Sequence, residues 1–392
     1  MTENMSADSV QSRQVGFVRC CPKLLPTGIA ILVCVLSTMT YSANAEGTSK
    51  EYTINDYSVA EKFYSDIIND PEWKSTISRV ERGEKLQLPE EMLTELSTDA
   101  LIEAVIDYPF FSDVYAFDNV QDGFDIMYDS FNGVRELSMR NDAATVLLDK
   151  YSNEPVLTET TPDSDVFRIT DIEILISQDF ITDKLSDTEK KQLINVASKK
   201  YMMEKESDVY GDYTTGILYD LVSSNCDDTE FRRQMQSYIS YVYTPNNTAV
   251  QVIVNTTEPL TADQINQYNS EGDSTYPNAI RCGSSTGKYN CHSYAWYYQS
   301  TSNNCWMNDP SAYWEDYSYL STNNPQSGNK MIYTYYGNPE HSAVIDSRLS
   351  GPSQMYFMDL VYVFSKWGPN GLYYHRGNDC PYTYCNGVGY FY

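Results

Sequence analysis

The sequence predicts an α+β protein of two domains, an acidic helical domain followed by a C-terminal domain of short strands and one helix. Two observations carry this. Between residues 52 and 226 apolar residues recur at spacings of three and four, glycine is scarce and histidine absent. From residue 277 onward the pattern changes to strand-like runs separated by turns rich in glycine, proline and asparagine.

Residues 1–45 run from a basic stretch with Arg13, Arg19 and Lys23, through an apolar segment, to small residues ending at Ala45. That order reads as a secretory signal peptide and predicts a secreted, extracellular chain with no membrane contact after cleavage. The apolar segment is short for a span, which needs about 20 apolar residues. An uncleaved N-terminal anchor is the rival reading.

The helical domain is expected over 46–240. Residues 98–108 place Leu101, Ile102, Val105 and Ile106 on one face, with Ser97 and Thr98 at the N-cap and Asp99 in the first turn. Ser186, followed by Asp187, Thr188 and Glu189, opens a helix expected to reach about Lys205. This half contains no metal-ligand spacing, glycine-rich phosphate loop or internal repeat. At the junction, 241–276, Thr244-Pro245-Asn246-Asn247 reads as a turn, 249–254 as a strand and 261–268 as a short helix. Asn246 and Asn255 each begin a glycosylation-acceptor triplet, which only some secretory routes use.

The C-terminal domain, 277–392, holds the chemistry. All 3 histidines of the chain, His292, His341 and His375, fall there. Cys291 opens a helical stretch expected to run to about Gln299, and the positive end of a helix favours the thiolate that attacks carbonyl carbon. His292 is a poor base for it, because adjacent helical residues point about 100° apart. His341 is the better base: it follows a strand-like run at 331–336 and a turn at 337–340, and opens a second strand at 341–345. His375 ends the run 372–374, after strand 361–364 and the turn 368–371, and is the first choice to orient the imidazole, with Asp346 and Asp359 behind it. The Cys291 N–H and the side chain of Tyr289 or Asn290 would form the oxyanion hole.

The segments YNCHSYAWYYQS, EHSAVI and FSKWGPNGLYYH, in that order, resemble the NlpC-type branch of the papain-like cysteine hydrolases, over about residues 277–392. The resemblance implies a papain-like fold with the cysteine helix on a small antiparallel sheet. It also implies Cys291 as nucleophile, His341 as base and His375 as third residue, with peptidoglycan stem peptides or related peptide amides as substrate. Asn290 before the cysteine, and His292-Ser293 after it, depart from the family's usual Asp before and Ser-Gly after. The helical half resembles a segment found in secreted proteins without an assigned task.

A net charge of −27 excludes a nucleic-acid binder acting through a basic patch. Cys226, Cys282, Cys291, Cys305, Cys380 and Cys385 follow the signal, an even set that three disulfides would use up. If Cys291 is free, Cys380 with Cys385 and Cys282 with Cys305 are the natural pairs, and Cys226 is left over. No C-x2-C or H-x3-H spacing asks for a metal, so no cofactor is expected. The competing reading is a disulfide-tied module that binds wall sugars or peptides without turnover, its surface built from Trp296, Trp306, Trp314, Trp367 and the domain's many tyrosines.

Overall fold

The computed structural model describes residues 58–75, 78–117, 120–159, 165–223, 239–348 and 357–392. The expected signal segment and Cys226 lie outside them, as does the side chain of Asp359. The described chain mixes helix with antiparallel sheet, and none of its helices is long and apolar enough to cross a membrane.

The first half is helical: α1 (Ser58–Asn69), α2 (Pro71–Ser75), α3 (Arg79–Lys85), α4 (Glu90–Glu95), α5 (Thr98–Ile106), α6 (Val120–Ser130), α7 (Asn132–Met139), α8 (Ala143–Asn153), α9 (Arg168–Ile176), α10 (Asp179–Thr182), α11 (Asp187–Lys205) and α12 (Asp212–Ser223). The caps read from sequence are formed. Ser97 Oγ accepts the Ala100 N–H at 3.1 Å and starts α5. Ser186 and Glu189 make a reciprocal capping box at the head of α11, which ends at Lys205. Every residue of α9 from Ile169 to Ile176 is buried, so this helix runs through the middle of the bundle.

The second half begins with β1 (Ile239–Tyr243) and β2 (Ala249–Val254), which form a small antiparallel sheet with β4 (Cys305–Trp306). Helix α13 (Ala262–Thr275) starts on a Thr261–Gln264 capping box and runs a full two turns past the expected end at 268. Its extension is polar in sequence, yet Gly272 and Thr275 are buried because this stretch packs against the sheet and the helical half.

The main sheet is antiparallel throughout, in the order β3 (Ile280–Gly283), β8 (Leu372–Arg376), β7 (Val361–Lys366), β6 (Asn338–Arg348), β5 (Lys330–Tyr335) and β9 (Gly387–Phe391). The β5–β6 turn is tighter than the expected 337–340. It consists of Tyr336 (φ 49°) and Gly337 (φ 90°), a two-residue hairpin turn of the kind that needs positive φ at both positions. Pro339 therefore sits inside β6, at the register shift opposite Tyr333 and Thr334, where its missing N–H is tolerated.

The two faces of this sheet serve different cores. Tyr333, Ala343, Ile345, Val361, Val363 and Tyr373 join the core of the helical half. Ile332, Val344, Leu372 and the flanking Phe364 join a second core under the Cys291 helix, with Tyr289, Tyr294, Ala295 and Trp296. The helices and the sheet thus share one continuous core on the first face. Buried polar contacts tie them further: Tyr276 donates at 2.6 Å to Asp113, which Arg79 also holds within the helical half, and Arg82 reaches Asp379 at 2.7 Å.

Candidate active site

Cys291 is the first residue of a short helix whose continuation, Ser293–Tyr297, winds with π geometry. Asn290 starts it. Its Oδ1 accepts the N–H groups of Ser293 and Met307, each at 3.2 Å, and its Nδ2 donates to the Met307 carbonyl at 2.6 Å. The side chain proposed for the oxyanion hole thus caps the helix and pins it to the strand β4 segment. The loop before it is also anchored. Glu258 accepts from Gly287 N at 2.8 Å and from the Thr286 hydroxyl, while Asn255 donates to the Gly287 and Lys288 carbonyls.

Ser342 is the strand residue that meets this helix. Its hydroxyl accepts the Trp296 indole N–H at 2.8 Å and lies 2.7 Å from His292 Nδ1. Side chains alternate along a strand, so His341 turns to the opposite face. There its ring stacks on Tyr382, with centroids 3.5 Å apart and planes 8° apart, beside Tyr333. Neither His341 nitrogen has a hydrogen-bond partner among the described residues. Burial holds its pKa well below 6.5, with the neighbouring His375 and His292 acting in the same direction, so the imidazole is neutral.

His375 is opposite Val363 on the same face. Its Nδ1 lies 2.6 Å from the Arg376 carbonyl and so carries the proton, leaving Nε2 to accept from Ser365 Oγ at 2.6 Å. Burial pushes its pKa down to about 4, against the effect of the Arg376 carbonyl. The three histidines are within electrostatic reach of one another, but the expected chain of Cys291 to His341 to His375 is not hydrogen-bonded. The sheet stands between the cysteine helix and the other two rings. Asp346, the weaker candidate, is exposed and near the Tyr374 hydroxyl.

A buried charged group behind the loop that precedes Cys291 was missed in the sequence. Lys366, the last residue of β7, is fully buried. Its Nζ donates to the carbonyls of Thr286 (2.9 Å), Gly368 (2.6 Å) and Asn370, and lies 5.1 Å from the centre of the Tyr289 ring. Burial pushes its pKa down to about 7, while Glu258 and the Cys291 thiol oppose that shift. Tyr289, the other oxyanion candidate, is itself buried, and burial raises the pKa of its phenol. The neighbouring turn is tight: Gly368 has φ 49°, and a Cβ there would meet the Tyr115 and Ala116 carbonyls at 2.7 Å.

Cys282, Cys291, Cys305, Cys380 and Cys385 are all free thiols, so the pairs Cys282–Cys305 and Cys380–Cys385 are not formed in this structure. Among the described residues no cluster of histidine, cysteine and carboxylate is arranged to hold a metal ion. Of the tryptophans offered as a binding surface, Trp296 and Trp367 are core residues. No family model matches the sequence, and neither the curated proteins nor the solved structures contain a match.

Proposed function

We propose that the chain is a cysteine hydrolase of papain-like type whose nucleophile is Cys291. Its substrate class is the peptide amide, with peptidoglycan stem peptides first, and it acts outside the cell after loss of the signal segment. The observation that carries this reading is the placement of Cys291 as the first residue of a helix, with the Asn290 side chain pinning the helix start and Glu258 and Asn255 anchoring the loop before it. The start of a helix favours negative charge, which is what an attacking sulfur carries. The substrate is drawn from the resemblance of the YNCHSYAWYYQS, EHSAVI and FSKWGPNGLYYH segments to the NlpC-type hydrolases.

Cys291 is fully buried, so the reading requires the wall over the thiol to open for substrate. The same burial is what favours the second reading, a binding module without turnover. Incubating the full chain with stem peptides and with unrelated peptides, followed by mass spectrometry, separates the two. Hydrolysis adds one water across a cleaved amide and yields a new amine. Binding of peptide with no such product on either panel supports the module and removes the hydrolase.

A further inference from the structure

We propose that Lys330 is a receptor for the carboxylate at the end of a peptide, bound on the sheet face that carries the Cys291 helix. The carboxylate follows from the lysine and its surroundings; that the ligand is a peptide rests on the hydrolase reading.

Five basic side chains are buried among the described residues, Arg79, Arg82, Lys200, Lys330 and Lys366. Arg79 and Arg82 hold Asp113 and Asp379, Lys200 donates to the Glu154 carbonyl, and Lys366 donates to three carbonyls. Lys330 has no hydrogen-bond acceptor among the described residues. Its Nζ lies 5.9 Å from the centre of the Tyr319 ring, at the outer limit of a cation–π contact. No carboxylate offsets its charge, and burial alone brings its pKa down to about 8, so at neutral pH most of the amine keeps its proton. A cation taken out of water without a hydrogen-bonded anion is costly. The chain has 54 acidic residues against 27 basic ones, yet none of the acidic groups compensates this lysine. The anion that suits it comes from outside the chain.

Strand register places the amine beside the helix of the proposed nucleophile. Lys330 pairs with Val344 and Phe391, and Ile332, two residues on, pairs with Ser342, to which Trp296 donates at 2.8 Å. Alternate residues share a face, so Lys330 lies on the same side of the sheet as Ile332, Ser342 and the Cys291 helix. The walls are aromatic: Phe391 stacks on Trp314 at 5.2 Å, and Tyr319 meets Trp296 edge-on at 5.3 Å. Trp314, Tyr319 and Phe391 are half-buried and Leu320 and Tyr392 are exposed, so the aromatic cluster reaches the surface. Lys330 itself is 5 % exposed, and the carboxylate reaches the amine as the Tyr319 and Phe391 rings part, a side-chain adjustment common on binding. One point charge behind an apolar rim suits a singly charged carboxylate on an apolar stem. A phosphate is better met by a guanidinium fork or several basic groups, and no second basic group's charge reaches Lys330.

Binding is measured by isothermal titration calorimetry on the full chain carrying Cys291→Ala, so that no peptide is consumed, with one stem peptide as the free acid and as its C-terminal amide. The acid should bind about tenfold or more tighter than the amide, as one hydrogen bond to a charged group allows. Lys330→Met should remove that preference and should unfold in urea at or above the parent's midpoint, because an apolar side chain replaces an uncompensated cation. A lysine that serves only to pack the core would instead lower the midpoint and leave the preference intact. Equal affinity for acid and amide, no binding of the acid at millimolar concentration, or a preference that survives Lys330→Met overturns the proposal. If Lys330→Met does not fold, the 13Cε resonance of Lys330 is followed against pH in Cys291→Ala. The acid should raise the pH at which the amine loses its proton by about a unit or more, and the amide should leave it in place. An identical titration with the two peptides overturns the site. Cleavage is read separately on wild type: acid preference in a chain that cleaves no peptide removes the hydrolase and leaves the carboxylate site, whereas cleavage without acid preference removes the site alone.

Discussion

Removing Arg82 should unfasten the segment that packs against His341. Arg82 on α3 is fully buried and its Nη1 holds Asp379 Oδ1 at 2.7 Å. Asp379 leads directly into residues 380–384, which carry Tyr382, stacked on His341 and hydrogen-bonded through its hydroxyl to the Ala116 carbonyl at 2.6 Å. Arg82→Met leaves a buried carboxylate without its cation, a change that costs about 3–5 kcal/mol. The cost depends on pH. Burial already raises the Asp379 pKa to about 6 despite the pull of Arg82. A carboxyl whose folded pKa is raised contributes stability below its unfolded pKa, and that contribution is lost as pH rises through the folded pKa. Without Arg82 the folded pKa rises further, so the window of loss extends above pH 6 at about 1.4 kcal/mol per unit. Urea unfolding followed by circular dichroism at pH 5 and pH 8 measures both parts. The variant should be destabilised at both and more at pH 8. A loss under about 1 kcal/mol at pH 8, or the same loss at both values, would refute the reasoning.

Further outcomes follow from other buried groups. Glu204 on α11 has a pKa raised to about 8 by burial, and its buried neighbour Glu173 is raised as well, by burial and then by Glu204. Stability from Glu204 is present below about pH 4.5 and falls as pH rises toward 8, so Glu204→Gln should gain on wild type steadily across that window in unfolding titrations. A gain independent of pH would count against the buried carboxyl pair. His375 has the opposite sign: its pKa is lowered to about 4, so stability falls as pH drops from 6.5 to 4. His375→Gln should flatten that acid limb by up to about 1.4 kcal/mol per unit; an unchanged limb contradicts the assignment. Gly368→Ala should cost at least about 1–2 kcal/mol, because it forces a side chain into positive φ and against two carbonyls. A neutral result in the same denaturation assay would mean the turn can move away from the helical half.

Local grammar was the legible part of the fold. Ser97, Ser186 and Thr261 marked helix starts through side chains that satisfy the first free N–H groups, and those interactions are local in sequence. Strands β2 and β8 were equally readable. What the sequence hid was long-range. The extension of α13 is polar and is held by packing on Tyr373 and the helical half, which no pattern along the chain reveals. Residues His341 and Ser342 are adjacent, and which of them faces the cysteine helix is set by pairing register around a shift at Tyr333 and Thr334. Lys366 was missed for a related reason. A lysine at a strand end reads as a solvated residue, and only the return of the 368–370 turn supplies the carbonyls that bury it.

The central claim is that Cys291 is the attacking group of a hydrolase. It is tested most directly by comparing wild type with Cys291→Ala and Cys291→Ser on stem peptides, counting released amines by mass spectrometry. Wild type should release new amines, and both variants should release none above background while retaining the wild-type circular dichroism spectrum. Cleavage by Cys291→Ala at the wild-type rate, or none by wild type itself, would contradict the account.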